Sequence, residues 1–447
     1  GLLGLGATAC GGASASEVEE GDARAEAQGP VPTPAPEAAA PSPGTQAPTQ
    51  TPAPEAPAPD KAPAVSPWSH ALGGPQDDTG SGLAVGRGGD VLWVTSGTPR
   101  SDTDREQVEG ERRVLTLSRY AADGKRAWAK EFERNRLTDL RVAGSTGTDG
   151  AVFLSGNAPL YPADFGLGEA QDGFLVKFSA AGAPEWQRRV GQKVYVVAAD
   201  AAGGVVALGE EWTPEAHTPQ LVRYAADGAV RWTQTFEGAA EGTSLAAVAL
   251  SATGTSVVAG RLVGPVTVDG RTFDAEGAGG FVVLAFDADG ALTWGREVPG
   301  VNGRVGSVSV GADGTVAVAG EAVGLLVWGE TTLDEGGPFV LTASAAGQAQ
   351  WAKQPTCGAT SVGTVAAVES SGPVAVACGN TLTRYAADGA LLGARTLAPG
   401  ACTSGTCSLA TTTLVATPDQ GLVVSGWQRD GAGATWNQDA FLRLVTP

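Results

Sequence analysis

The chain has 447 residues, 42% hydrophobic, 17% charged and 6% aromatic, which is ordinary for a soluble globular protein. Asp plus Glu outnumber Lys plus Arg by 48 to 29, a formal net charge of −19, so the basic patch that nucleic acid requires is not expected. Gly at 65 and Pro at 28 are abundant, and 13 of the prolines fall between Pro30 and Pro67.

In chain order, the first ten residues end in Ala7-Thr8-Ala9-Cys10, small residues before a Cys that follow an apolar Gly/Leu run. Export signals close on small residues because the peptidase cleft admits nothing larger. The absence of Met predicts that a precursor segment precedes Gly1. A Cys in this setting resembles the lipobox of bacterial lipoproteins, which implies cleavage before Cys10 and lipidation of its thiol. Residues 11–65 contain no Leu, Phe, Trp, Tyr or Cys and only three valines, so they are expected to form a disordered Ala/Pro/Glu-rich tether. At roughly 3.1 Å per residue in polyproline II, ~35 such residues reach ~100 Å. No apolar run of membrane-spanning length follows, so a lipid anchor would be the only membrane attachment.

From residue 66 a repeat sets in. Asp-Gly or Ala-Gly is followed four residues after its Gly by Trp: Gly124 and Trp128, Gly182 and Trp186, Gly228 and Trp232, Gly290 and Trp294, Gly347 and Trp351. A sixth copy at Gly389 has Gly393 in the Trp position. Asp-Gly between apolar runs is a strong hairpin signal, read here as a turn with positive φ at both central positions. Apolar strands precede the turns at 115–120, 174–178, 221–224, 281–286, 339–341 and 382–385, with a final copy at 441–445. Further upstream lie seven more short apolar runs, at 90–94, 150–154, 204–208, 255–259, 314–318, 373–376 and 421–424. Helical periodicity is absent.

Each unit thus supplies strands A, B, C and D. The expected fold is all-β, a seven-bladed β-propeller of four-stranded antiparallel blades over 66–447. At about 55 residues per unit against ~40–50 for compact blades, the excess belongs to loops. The recurrent Trp reads as interblade packing. Trp68 has no A, B or C strand ahead of it, and 441–445 has no D strand behind it, so the Trp68 strand is expected to pair with 441–445 and close the ring. Units such as Val266–Asp274 leading into Gly280-Phe281-Val282-Val283 and Asp289-Gly290…Trp294 resemble the repeats of seven-bladed bacterial surface lipoproteins. More distantly they are similar to quinoprotein-like propellers, including the lipoprotein of the outer-membrane β-barrel assembly machine. Those typically have eight blades and a motif with Thr-Gly-Lys, which this chain lacks.

Four cysteines besides Cys10 read as two disulfides in an exported chain. Cys357 falls on a D-to-A loop, Cys378 at the end of a B strand, and Cys402 and Cys407 on the next D-to-A loop. All four lie towards one face, so three connectivities are open, with Cys357–Cys378 and Cys402–Cys407 favoured. No zinc spacing, phosphate loop or 12-residue calcium loop occurs, and the acidic loop 101–105 reads as solvated. His70 and His217 stand in unrelated repeats and read as solvated loop residues. No catalytic residue, metal or cofactor is therefore expected.

The expected function is a non-enzymatic, lipid-anchored binding or scaffold module of the bacterial outer membrane, on the periplasmic or cell-surface side. An envelope-assembly role or a propeller hydrolase or lyase is the alternative. A monomer binding an envelope protein or a glycan is expected. The binding face would carry the B-to-C and D-to-A loops, where Trp212, Trp328, Trp427 and Trp436 fall, joined by Tyr161 and Phe165 from the loop 157–172. The competing expectation is that these rings fold back to cover their own loops.

Overall fold

The computed structural model describes residues 67–72, 78–97, 114–133, 137–213, 217–358, 363–400, 407–419, 421–431 and 437–446. The expected lipobox at Cys10, the expected tether 11–65, the acidic stretch 101–105, Cys402 and Trp436 lie outside them, as does the side chain of Tyr161.

Seven four-stranded antiparallel sheets follow one another in the order A-B-C-D. Blade 1 is Thr79–Val85, Val91–Gly97, Val114–Tyr120 and Arg126–Glu133. Blade 2 is Thr138–Gly144, Val152–Asp164, Glu169–Phe178 and Pro184–Arg189. Blade 3 is Lys193–Ala199, Val205–Trp212, His217–Tyr224 and Val230–Thr235. Blade 4 is Ser244–Leu250, Ser256–Val268, Arg271–Phe286 and Leu292–Pro299. Blade 5 is Asn302–Val310, Val316–Val323, Gly337–Ala343 and Ala349–Lys353, with a small hairpin, Leu326–Trp328 and Thr331–Leu333, between its B and C strands. Blade 6 is Thr364–Val368, Val374–Cys378, Thr381–Tyr385 and Leu391–Thr396. Blade 7 is Cys407–Ala416, Leu422–Asp430 and Asn437–Val445, completed by Ser69–Leu72 in register from Ser69 opposite Arg443 to Leu72 opposite Ala440.

This is the β-propeller expected from the repeat. Its core is not central. The buried apolar side chains fall into seven clusters, and each cluster joins two neighbouring blades. Strand periodicity explains this: successive side chains of a B strand point to opposite faces, and both faces meet a neighbour. In blade 2, Val152 and Leu154 pack towards blade 1 while Ala151 and Phe153 pack towards blade 3. Hence the short B runs are apolar throughout instead of alternating.

The turn motif differs from the expected geometry. Among Asp123, Asp227, Asp289 and Asp388 none has positive φ; only the following Gly does, at φ 79–90°. The C and D strands shift register by one residue at each turn, as between Arg119 and Tyr120. The connection is a right-handed turn closed by a left-handed Gly, whose twist suits the hairpin without forcing Asp into a left-handed conformation. Asp instead caps the turn, as where Asp227 accepts from the Ala229 amide at 2.9 Å.

That Gly answers to a second constraint. Each repeat Trp reaches across to the next blade and donates from Nε1 to a carbonyl in that blade's C-to-D turn. Trp68 bonds Ala122 O, Trp128 Ala180 O, Trp186 Ala226 O, Trp232 Ala288 O, Trp294 Ala345 O and Trp351 Ala387 O, all at 2.8–3.0 Å. The indole then lies on the turn glycine: a Cβ on Gly290 would stand 2.7 Å from the Trp232 ring. Motif Gly and motif Trp thus meet between blades. Blade 6, where Gly393 replaces Trp, faces blade 7, which has no C-to-D turn because the two ends of the domain meet there. There Arg395 donates to Thr446 O at 3.1 Å instead.

A second regularity lies in the residue before the last aromatic of the C strand. Arg119, Lys177, Arg223 and Arg384 pair with acids at the A-to-B turns: Asp90, Asp149, Asp200 and Glu369. The Arg384–Glu369 pair is bidentate, at 2.7 and 2.6 Å, with Glu369 fully buried. Charged residues inside an apolar strand are tolerated only so paired.

Candidate functional site

The seven A strands stand around a central channel of about 900 Å³. Small side chains keep it open, since its wall is mostly Gly, Ala, Ser, Thr and Val. In six of the seven A strands a bulge interrupts the pairing with B. Bulges bend a strand and re-aim its side chains. Among the described residues, two charged side chains line the channel, Asp139 and Arg141, and one aromatic, Trp427. Asp139 and Arg141 lie near the start of their A strand and Trp427 near the end of its B strand. All three therefore belong to the mouth that carries the D-to-A and B-to-C connections, on the arc formed by blades 7, 1 and 2.

Asp139 and Leu140 form the blade 2 bulge, two residues opposite Gly156. Asp139 has φ +52°, a conformation that costs a non-glycine residue about 1 kcal/mol. Its Oδ2 accepts from Asn157 Nδ2 at 3.0 Å and Thr138 Oγ1 at 3.2 Å. Asn157, itself buried, also bonds both main-chain groups of Val194, which fixes blade 2 to blade 3. Arg141 donates from Nη1 to Leu140 O at 2.9 Å and Ser81 O at 3.4 Å, and forms no ion pair with any described residue. Burial pushes its guanidinium below the usual value, against the opposing pull of Asp139.

On the same face, blade 3 carries a polar cluster. Glu210 is buried; Tyr195 donates its phenol to Oε2, and His217 Nδ1 lies 3.2 Å from Oε1. Burial, then Glu210, raises the Tyr195 phenol well above its ordinary value. Trp212, 41% exposed, lies beside the His217 ring at 4.6 Å and beneath the Lys193 ammonium at 4.6 Å. Gln192 clamps the Trp212 backbone with bonds of 2.6 and 3.0 Å. Arg189 joins Glu211, at 2.8 Å, to Asp172, at 3.0 Å.

The expected aromatic face resolves residue by residue. Trp212 is on the rim, and Trp427 lines the channel with the Arg429 guanidinium 4.4 Å over its ring. Trp328 is only 3% exposed and donates to Thr342 O at 2.7 Å, and Phe165, 2% exposed, packs on Phe132 and Phe174. These two are buried in the interblade clusters, Trp328 between blades 4 and 5 and Phe165 between blades 1 and 2. The segment 157–172 is not a loop for most of its length: the B and C strands of blade 2 extend into it. Neither histidine sits on a loop. His217 begins a C strand, and His70, on the closing strand, bonds Gly124 O at 2.8 Å. The aromatic residues gave no sign of Asp139 and Arg141; charges two apart in an otherwise small-residue A strand are the signal that marks them.

Cys357 and Cys378 are disulfide-bonded, Cα to Cα 4.8 Å, and tie the connection before blade 6 to the end of its B strand. Cys407 is also disulfide-bonded; its expected partner Cys402 lies outside the described residues. Among the described residues no three His, Cys, Asp or Glu side chains gather as metal ligands, and no helix is long and apolar enough to cross a membrane.

Neither a family model nor a curated protein matches the chain. Solved structures do. The WD40 domain of Pan2 from Neurospora crassa is 9% identical with a TM-score of 0.46, covering 82% of this chain and 88% of that one. A polysaccharide lyase, Uly1, is 13% identical with a TM-score of 0.44, covering 83% and 90%. A gluconolactonase from Xanthomonas campestris is 13% identical with a TM-score of 0.37, covering 70% and 92%. None of these likenesses carries an activity over to this chain.

Proposed function

We propose that this chain is a non-enzymatic binding module of the bacterial cell envelope, a monomer anchored through lipid on Cys10, which takes an envelope protein or glycan at the D-to-A mouth of its channel. The observation that supports this reading is the placement of Asp139, Arg141 and Trp427 at one end of a channel otherwise lined by small side chains. The propeller supplies a rigid frame, and specificity then falls to the few large or charged groups that break its uniformity. Trp212 and Lys193 extend the same face outward at blade 3. The test is capture from envelope extract by the immobilised chain. Trp427→Ala is expected to weaken capture by about 10- to 100-fold, the effect of losing an aromatic anchor, with an unchanged melting temperature. Ser370→Asp at the opposite mouth is expected to leave capture intact. Equal capture by wild type and Trp427→Ala contradicts the reading.

A further inference from the structure

We infer that the channel mouth takes a ligand with a single carboxylate on a ring, an acidic sugar or an aromatic acid, and that Arg141 grips the carboxylate. This rests on the proposed ligand site and names its chemistry. A guanidinium has five N–H donors in a planar fork. In Arg141, Nη1 is committed to the carbonyls of Leu140 and Ser81. Nε and Nη2 have no acceptor among the described residues, and these two atoms form the edge that matches both oxygens of one carboxylate. Asp139 pulls on this charge without forming an ion pair with it, and its Oδ2 accepts from Asn157 and Thr138.

The repeat does not require Arg here. The residues that follow the A-strand bulge in other blades are Gly82, Val196, Ala247, Ser307 and Thr413. A partly buried cation with no ion pair is unfavourable, and burial lowers the guanidinium pKa despite the pull of Asp139, so a carboxylate on the open edge would be stabilised. Asp139 shares the mouth and limits how much negative charge it tolerates, which favours a monoanion over a phosphate dianion. Trp427, with the Arg429 guanidinium 4.4 Å over one face, is the aromatic that lines the channel for a ring, and Ser81, Ser307 and Thr413 line the same space.

The experiment is calorimetric titration of the full chain with glucuronate and benzoate, their neutral counterparts methyl glucuronate ester and benzamide, and glucose 1-phosphate. At least one acid is expected to bind about 10- to 100-fold more tightly than its neutral counterpart. Whichever acid binds identifies the source. Arg141→Met is expected to abolish that difference and Arg141→Lys to keep part of it. Because Nη1 also braces blade 1 against blade 2, Asp139→Asn provides a variant that leaves this brace alone, and it is expected to tighten acid binding severalfold without changing the neutral compounds. Equal binding of acid and neutral forms, an unchanged Arg141→Met, or glucose 1-phosphate binding as tightly as glucuronate overturns the carboxylate inference while leaving the channel reading in place. Failure of every ring compound to bind, together with envelope capture indifferent to Trp427→Ala, overturns both.

Discussion

At the scale of single residues, the glycine of the turn motif has two duties, and they can be separated by experiment. Gly290 and Gly270 both have positive φ, 90° and 70°, but only Gly290 lies under an indole, that of Trp232. Gly270→Ala therefore meets backbone strain alone, whereas Gly290→Ala also meets the ring. Gly290→Ala is expected to cost about 1–3 kcal/mol more in chemical denaturation. Equal costs would mean that the ring moves aside freely. Tyrosines give a pH signature. Burial raises Tyr120, Tyr195 and Tyr385 above the ordinary phenol value and raises Tyr224 to about 12. A group raised in the folded state contributes stability that is fully present below its unfolded pKa of about 10 and is lost as pH rises through the folded value. Stability is therefore expected to fall between pH 10 and 12, and Tyr224→Phe to lessen the fall. A flat profile over that window contradicts the burial argument. The turn itself was legible in the sequence. Its Trp partner was not, because motif and ring belong to different repeats, 36–56 residues apart, and meet only when blades pack.

Strand elements were legible wherever a short apolar run followed a Gly turn, as at Val205–Trp212 or Leu422–Asp430. Their extensions were not. The B strand of blade 2 continues past Asn157 to Asp164 and its C strand starts at Glu169, while the blade 5 insertion folds as a two-stranded hairpin of its own that includes Trp328. The A-strand bulges left no pattern in the sequence either, and with them the position of Arg141 stayed hidden. The disulfide is the strongest local brace of blade 6, whose outer strand Leu391–Thr396 is exposed along its length. Replacing Cys357 and Cys378 by Ser is expected to destabilise the chain by about 2–4 kcal/mol, read by denaturant unfolding. A change below about 0.5 kcal/mol would show that the strands hold this connection without the link.

For the whole molecule, closure depends on residues far apart in sequence. Ser69–Leu72 pairs with Asn437–Val445, Trp68 latches blade 1, and Trp93 Nε1 bonds Ser425 Oγ at 2.9 Å across the same seam. Deleting 66–72 exposes a C strand and removes one latch, and is expected to lower the melting temperature by more than about 10 °C. An unchanged melting temperature would mean that the ring closes by side-chain packing alone. The asymmetry at blades 6 and 7 makes a companion prediction: Gly393→Trp restores the motif but finds no turn on blade 7, so no stabilisation is expected in the same melt. The count of blades could be read from the repeat. The face proposed for binding, that of the B-to-C and D-to-A loops, could be read as well; the meeting of Asp139 and Arg141 with Trp427 could not, because they are some 290 residues apart and only the ring brings them to one arc.

The central claim is that ligand enters at that mouth, and site-specific cross-linking in intact cells tests it most directly. A photo-reactive group attached at Thr79→Cys, on the D-to-A mouth, is compared with one at Thr146→Cys, on the opposite mouth. Adducts at position 79 that disappear on adding Trp427→Ala, with none at position 146, are the expected result. Adducts confined to position 146, or at position 79 undiminished by Trp427→Ala, would contradict it.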